Sequence, residues 1–252
     1  GLSPKTIKDG HVAALKSIWS YGLANKLVTF NPFKDVKVAT RKRAGSGRLP
    51  YENAEVARLL RIARAETDAG RRWLPWLAAF TGARIGELAQ AWGKNVENID
   101  GIPVLHIRPA DDGGTLKNEP SERTIPIHSA LIAEGFLSFA EAKGEGPLFY
   151  GKARGQAGSR HASKGVTNRL ASWIRAQGFD DPRKAPAHAM RHWFKSAGHE
   201  AGAPDSAIDF IQGHAIKSTA GVYRHFSLKA LREALERIQV EVEGTTTPDG
   251  AK

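Results

Sequence analysis

Residues 39–48, Ala-Thr-Arg-Lys-Arg-Ala-Gly-Ser-Gly-Arg, interrupt a helix-patterned chain with a basic stretch that has no apolar periodicity. Such a stretch has nothing to bury and reads as a linker, so it divides the 252 residues unequally. Upstream, Ser3 can cap a helix that Pro4 opens. Ile7, His11, Ala14, Leu15, Ile18 and Tyr21 then keep helical spacing, which predicts an amphipathic helix over 4–23. Asn31-Pro32 marks a turn, and Phe33, Val36 and Val38 leave a short apolar trail. One helix with a tail cannot enclose a core. Residues 1–44 are therefore expected to be the end of a truncated helical domain, with 45–50 as the linker. The chain opens on Gly1 and its single Met is Met190, so it is expected to lack its native start.

Downstream, the pattern is long enough for one large domain over 51–242. Val56, Leu59, Leu60 and Ile62 predict a helix near 52–66, and Trp73, Leu74, Trp76, Leu77 and Phe80 another near 71–80. Thr81-Gly82 breaks that helix, and Ala83 to Trp92 is expected to resume it. Between 96 and 127 the character changes. Ile99-Asp-Gly-Ile102 is turn-like, Val104–Ile107 favours a strand, and Leu116 with Thr124–Ile127 suggests hairpin strands around 118–121. Helical spacing returns from 129, broken by a loop rich in Gly, Arg and Lys over 151–165. The last helix, near 227–240, carries Leu228, Leu231, Leu235 and Ile238 on one face. Residues 243–252 are expected to be a disordered tail. The resulting class is mainly α with a small antiparallel β-sheet, an α+β fold.

Charge adds a partner. The net +11 is unevenly placed: residues 1–50 hold ten Lys or Arg against Asp9 and Asp35. A cationic end on a nearly balanced chain suits a polyanion such as nucleic acid, where released counterions drive binding, although a solvated basic face has the same composition. The chain has no Cys, which excludes disulfides and thiolate metal sites. No apolar run reaches the roughly 18 residues of a membrane span, and a cytoplasmic protein is expected.

Several residues could carry chemistry, each with an ordinary alternative. Arg84 and Glu87 lie three apart, as in a solvated helical ion pair, yet Thr81-Gly82 puts Arg84 near a helix N-terminus, where anions bind. His188 and Arg191 repeat the spacing behind Pro186; the alternatives are a buried structural His beside a surface Arg, or a metal pair formed with His192. Lys117, inside the expected hairpin, is the only Lys between Lys94 and Lys143; its ordinary alternative is an exposed hairpin lysine. Tyr223 follows Gly213-His214 by a short interval. A phenol with pKa near 10 is a poor nucleophile unless a base or a positive field acts on it. Asp111-Asp112 and Asp180-Asp181 allow a two-metal nuclease, but fit solvated turns as well.

Taken in order, Thr81-Gly-Ala-Arg84-Ile-Gly-Glu87-Leu, Leu116-Lys117, His188-Ala-Met-Arg191-His192, Gly213-His214 and Tyr223-Arg-His225 resemble the motifs of the tyrosine recombinase, or phage integrase, family. The similarity spans about 51–240, and Leu2 through Pro32 resembles the end of that family's core-binding domain. This sequence departs from the pattern at Ala189, where an acidic residue is frequent, at Trp193, a usually small position, and at Gln212, where Leu is common.

The resemblance implies a DNA clamp of two lobes and a site-specific recombinase. Arg84, Arg191 and His214 would bind the scissile phosphate, with Glu87 orienting Arg84. Tyr223 would attack, Lys117 would protonate the leaving 5′-oxygen and His188 would take the phenol proton. Lys5, Lys8, Arg41, Lys42 and Arg43 would hold backbone phosphates. It implies no metal and no cofactor, double-stranded DNA as partner, a homo-tetramer on paired sites, and a C-terminal helix that docks on a neighbouring protomer; packing on its own core is the alternative for that helix. The expected setting is the nucleoid of a bacterial or phage-infected cell. Rival activities are a type IB topoisomerase, a DNA-binding protein without catalysis, and a metal-dependent nuclease.

Overall fold

The computed structural model describes residues 1–39, 47–116, 122–151, 160–214 and 226–242. The chain divides into two compact units, Gly1–Gly47 and Arg48–Lys252. In the first, the predicted helix is present. Helix α1 (Pro4–Thr6) passes through a π-helical stretch, Ile7–Val12, into α2 (Ala13–Ala24). Ser3 Oγ accepts the Thr6 amide at 3.1 Å, the cap its position suggested. The trail after Asn31 folds back onto the helix: Asn31 Nδ2 donates to the Lys16 carbonyl, and Trp19 meets Phe33 edge-on at 5.1 Å. Gly22 is the one buried residue among the described residues of this unit, and Ile18, Tyr21 and Leu27 are exposed.

The second unit is built around helix α4 (Ala69–Thr81), buried along most of its length, from Trp73 to Thr81. An Asp68 cap starts it, and α3 (Asn53–Arg64), opened by a Glu52/Glu55 capping box, packs along it. Trp76 donates its indole N–H to the Leu60 carbonyl at 3.2 Å, so even this ring's polar edge is satisfied in the core. Gly82 ends α4 with φ of 55°. The segment after it is not the long helix its spacing suggested: α5 covers only Ile85–Leu88. Tertiary bonds take over the backbone instead. Leu148 N donates to the Ala91 carbonyl, Gly93 N donates to the Gly146 carbonyl, and Asn95 Oδ1 accepts the Trp92 amide.

Strands β1 (Val96–Ile99), β2 (Ile102–Ile107) and β3 (Arg123–Pro126) form an antiparallel sheet in that order. Asp100 and Gly101, both at positive φ, make the two-residue turn between β1 and β2. The expected hairpin around 118–121 is corrected in part. β3 pairs with β2, Ile107 opposite Arg123, and Leu116 is not in a strand; residues 117–121 lie outside the described residues. Alternation alone could not say which earlier segment β3 would join.

Helices α6 (Ser129–Ala133), α7 (Phe136–Lys143), α8 (Ser163–Ala176), α9 (Pro186–Glu200), α10 (Asp205–Gln212) and α11 (Leu228–Leu235) complete the unit. α9 packs on α4, and α11 packs on α10 and β3. The final helix is shorter than the predicted 227–240. It buries Leu231, Ala234 and Leu235 in the chain's own core, and Ile238 and Val242 follow them. Glu236, at its end, accepts the Ser129 amide at 2.9 Å. The apolar face of α11 is therefore packed within the chain, the alternative weighed for that helix. No helix among the described residues is long and apolar enough to cross a membrane.

Candidate active site

The break at Gly82 positions the first guanidinium. Thr81 Oγ1 donates to the Leu77 carbonyl at 2.6 Å and accepts the Ala83 amide at 3.2 Å, so α4 stops there cleanly. Arg84 then sits at the N-cap of α5, as the Thr-Gly signal suggested. A Cβ on Gly82 would lie 2.3 Å from Cδ1 of Phe194 and 2.8 Å from Nε2 of Gln212. Left-handed φ and this contact both demand glycine. Gly82→Ala is expected to cost about 2–4 kcal/mol, the sum of backbone strain and overpacking. Chemical denaturation checks it: an unchanged midpoint would show that Phe194 yields freely.

Glu87 is the hub. Its side chain is almost wholly buried and accepts from two guanidiniums: Arg84 Nη1 on Oε1 at 2.7 Å and Arg123 Nη2 on Oε2 at 2.9 Å. Arg123 also donates through Nε to the Ile211 carbonyl at 2.8 Å and through Nη2 to the Gln212 carbonyl at 3.2 Å. Arg191 comes in from α9. Its Nη1 donates to the Gly82 and Gln212 carbonyls, both at 2.6 Å. Its Nη2 is buried and has no hydrogen-bond partner among the described residues. Burial first, and then the neighbouring charge of Arg84, brings the Arg191 pKa down to about 10, so it stays cationic at neutral pH. Two guanidiniums thus bond one buried carboxylate, and the third, Arg191, feels its charge without bonding to it. An uncompensated buried charge is costly, and this arrangement asks for an anion.

Arg84, Glu87, His188 and Arg191 line one cavity of about 470 Å³. His188 and Arg191 face it together, as the spacing on α9 implied. Leu116, the residue before Lys117, lines it as well, with His161 and Lys164 from the approach to α8 and its first turn. His214 follows Gly213, whose carbonyl receives Arg84 Nη1 at 3.3 Å. Its ring is held by Asp209, Nδ1 to Oδ1 at 2.8 Å. Lys117, Tyr223, Arg41, Lys42 and Arg43 lie outside the described residues. Lys5 and Lys8 are exposed on the helix of the first unit.

The unusual positions have structural work here. Gln212 is fully buried, and its Nε2 donates to the Arg191 carbonyl at 2.7 Å, which a Leu could not do. Trp193 donates to Asn53 Oδ1 at 2.6 Å. Ala189 is buried at 1 % exposure, where an acidic side chain would need a partner. Three carboxylates of the acidic pairs are engaged by cations and polar groups, and Asp180 is exposed. Asp111 is bonded to Lys94; Asp112 Oδ1 meets His161 Nε2 at 2.8 Å and Tyr150 Oη at 3.1 Å; Asp181 meets Arg183 at 2.9 Å.

Sequence reasoning missed Arg123, Asp209 and Lys195, and marked Gln212 only as a departure from the family pattern. For Arg123 the available signal was a charged residue at the head of the apolar run Thr-Ile-Pro-Ile. For Lys195 it was the position one helical turn beyond Arg191.

The phage integrase family model matches residues 51–229. The chain is 26% identical over 242 residues to the tyrosine recombinase XerC of Pelobacter propionicus, covering 92% of this chain and 73% of that protein. It is 27% identical over 157 residues to the tyrosine recombinase XerA of Pyrococcus furiosus, covering 62% of this chain and 50% of that one. Among solved structures, the integrase from mycobacterium phage Brujita aligns with a TM-score of 0.58 at 22% identity, over 94% of this chain and 73% of that chain. The Tn1549 transposon integrase in complex with transposon right end DNA aligns with a TM-score of 0.56 at 22% identity, over 94% and 80%. At such identities these two establish the fold. With the family match covering most of its length, the chain belongs to the phage integrase family of tyrosine-type site-specific recombinases.

Proposed function

We propose that the chain cleaves and rejoins double-stranded DNA through a 3′-phosphotyrosyl intermediate and exchanges strands between two sites. The observation that supports this most is the unspent edge of Arg191: a buried Nη2 without a hydrogen-bond partner among the described residues, beside a cavity shared with Arg84 and His188. A phosphodiester offers what is missing there. Its non-bridging oxygens accept from the guanidiniums, and its charge offsets their excess. Negative charge grows on those oxygens as the nucleophile approaches, so fixed cations favour the transition state over the ground state.

In this reading Tyr223 forms a bond from its Oη to phosphorus while the bond to the 5′-oxygen breaks. Lys117 gives a proton to that oxygen, His188 takes the phenol proton, and His214 adds a third contact to the phosphate. Glu87 holds Arg84 and Arg123 in place. The roles of Lys117 and Tyr223 rest on the family motifs. The phosphotyrosine conserves the bond's free energy, so neither a nucleotide nor a metal ion is called for. A 5′-hydroxyl from the partner strand reverses the step. Lys5, Lys8, Arg41, Lys42 and Arg43 hold the duplex through phosphates, which position without reading sequence. One tyrosine for each scissile phosphate on two duplexes calls for a homo-tetramer.

The role proposed is integration or excision of a phage or mobile element in the bacterial cytoplasm. Resolution of chromosome or plasmid dimers is the competing role. Sequencing the DNA joined covalently to the chain tests this, with EDTA present throughout. Non-identical sites bordering its own coding DNA are expected. A single site recombined only when present twice in one circle would transfer the reading to dimer resolution. Loss of cleavage in EDTA, or relaxation without exchange, would overturn it.

A further inference from the structure

His214 is held by a pair, Asp209 and Lys195, that lies outside the family motifs. α10 ends in the left-handed turn at Gly213, with φ of 70°, and the His214 amide donates back to the Asp209 carbonyl at 2.9 Å. This folds the imidazole against its own helix, with Nδ1 2.8 Å from Asp209 Oδ1. The same oxygen accepts Lys195 Nζ at 2.6 Å from α9. An ionised carboxylate only accepts, so Nδ1 carries the proton and Nε2 is the nitrogen left to address a ligand. In the neutral ring that Nε2 bears a lone pair; it donates only when the ring is protonated.

We propose that Asp209 is a positioning residue that fixes His214 in its Nδ1-protonated form, and that Lys195, by sharing the same carboxylate oxygen, limits how strongly Asp209 favours the charged ring. The Lys195–Asp209 pair then decides whether Nε2 accepts or donates. This rests on reading His214 as a contact to the scissile phosphate. Among the described residues, the charged groups around the ring are Asp209 from α10, Lys195 and Arg191 from α9, Arg84 through its bond to the Gly213 carbonyl, and Arg123 from β3 against Gly213. Burial pushes the ring below its ordinary range, the Asp209 bond opposes this, and Arg191 and Lys195 add to the depression. Free His214 is therefore neutral at neutral pH, with Nε2 as acceptor. A phosphate at the cavity favours the charged ring, so the ring takes a proton from solvent and Nε2 turns donor. DNA binding would load this contact with a proton.

The test is a histidine ring NMR titration of the full chain without DNA, with His214 assigned by its absence in His214→Gln. The wild-type nitrogen shifts should show Nδ1 protonated. Asp209→Asn should lower the His214 midpoint by about one pH unit and Lys195→Met should raise it by about half a unit, the range for loss of a neighbouring charge. Asp209→Glu should restore most of the first shift. Because the donating ring is the protonated one, the alkaline limb of the DNA cleavage profile should move in the same two directions. Midpoints that stay put in both variants, or a wild-type ring protonated on Nε2, would overturn the proposal. Midpoints that move while the cleavage profile does not would uphold the positioning and sink the phosphate role of His214. Lys195 is about half exposed, so its variant answers even if Asp209→Asn folds poorly.

Discussion

Tyr223→Phe is expected to abolish the covalent protein–DNA adduct completely while leaving affinity for intact DNA nearly unchanged. The phenol oxygen makes no bond to phosphorus until the transition state, so its removal costs nothing in ground-state binding and everything in chemistry. A nicked suicide substrate, whose cleaved fragment diffuses away, gives the readout as a denaturant-resistant band, with electrophoretic mobility as the control for binding. An adduct that persists in the Phe variant would assign the nucleophile to another residue. A loss of binding equal to the loss of adduct would show that the ring is structural.

Arg191→Lys is the second large effect. The native guanidinium does two things at once: Nη1 holds the Gly82 and Gln212 carbonyls, and Nη2 remains for an anion. A lysine ammonium is a single point with no second edge, so it can serve the carbonyls or the phosphate but not both. Cleavage is expected to fall by about a hundredfold to a thousandfold, the usual cost of one fixed donor to developing charge. Affinity for uncleaved DNA should change far less, since it is spread over many phosphates. Single-turnover cleavage below the variant's melting temperature checks this. A rate within about threefold of wild type would mean that Arg84 alone suffices, far below that expected loss.

How much of this was legible in the sequence follows from how local each signal is. Arg84 with Glu87, and His188 with Arg191, were readable because a spacing of three on a helix fixes a shared face, and Thr81-Gly82 and Pro186 marked where the helices stop and start. The helix expected over 83–92 stops at Leu88, and just beyond it the Ala91 carbonyl and the Gly93 amide find partners at 148 and 146, beyond any local window. Leu116 looked like a strand because an apolar residue beside a strand pattern carries no information about pairing. The stripe on α11 said that something must cover it. It could not say that the cover is β3 and α10 of the same chain. Arg123 was invisible for a related reason: a lone Arg ahead of a strand is ordinary until Glu87 is placed beside it.

The backbone carbonyls of Ile211, Gln212 and Gly213 give the site a collective character. Between them these consecutive residues receive Arg123, Arg191 and Arg84. The cations come from three different parts of the fold yet are tethered to one short stretch of main chain, the stretch that leads into His214 and on towards Tyr223. They are therefore not independent switches. A shift of that peptide segment would disturb one or more bonds of each at once, while Glu87 still holds Arg84 and Arg123 and the Gly82 carbonyl still holds Arg191. The placement of all three cations therefore depends on the same short run of main chain.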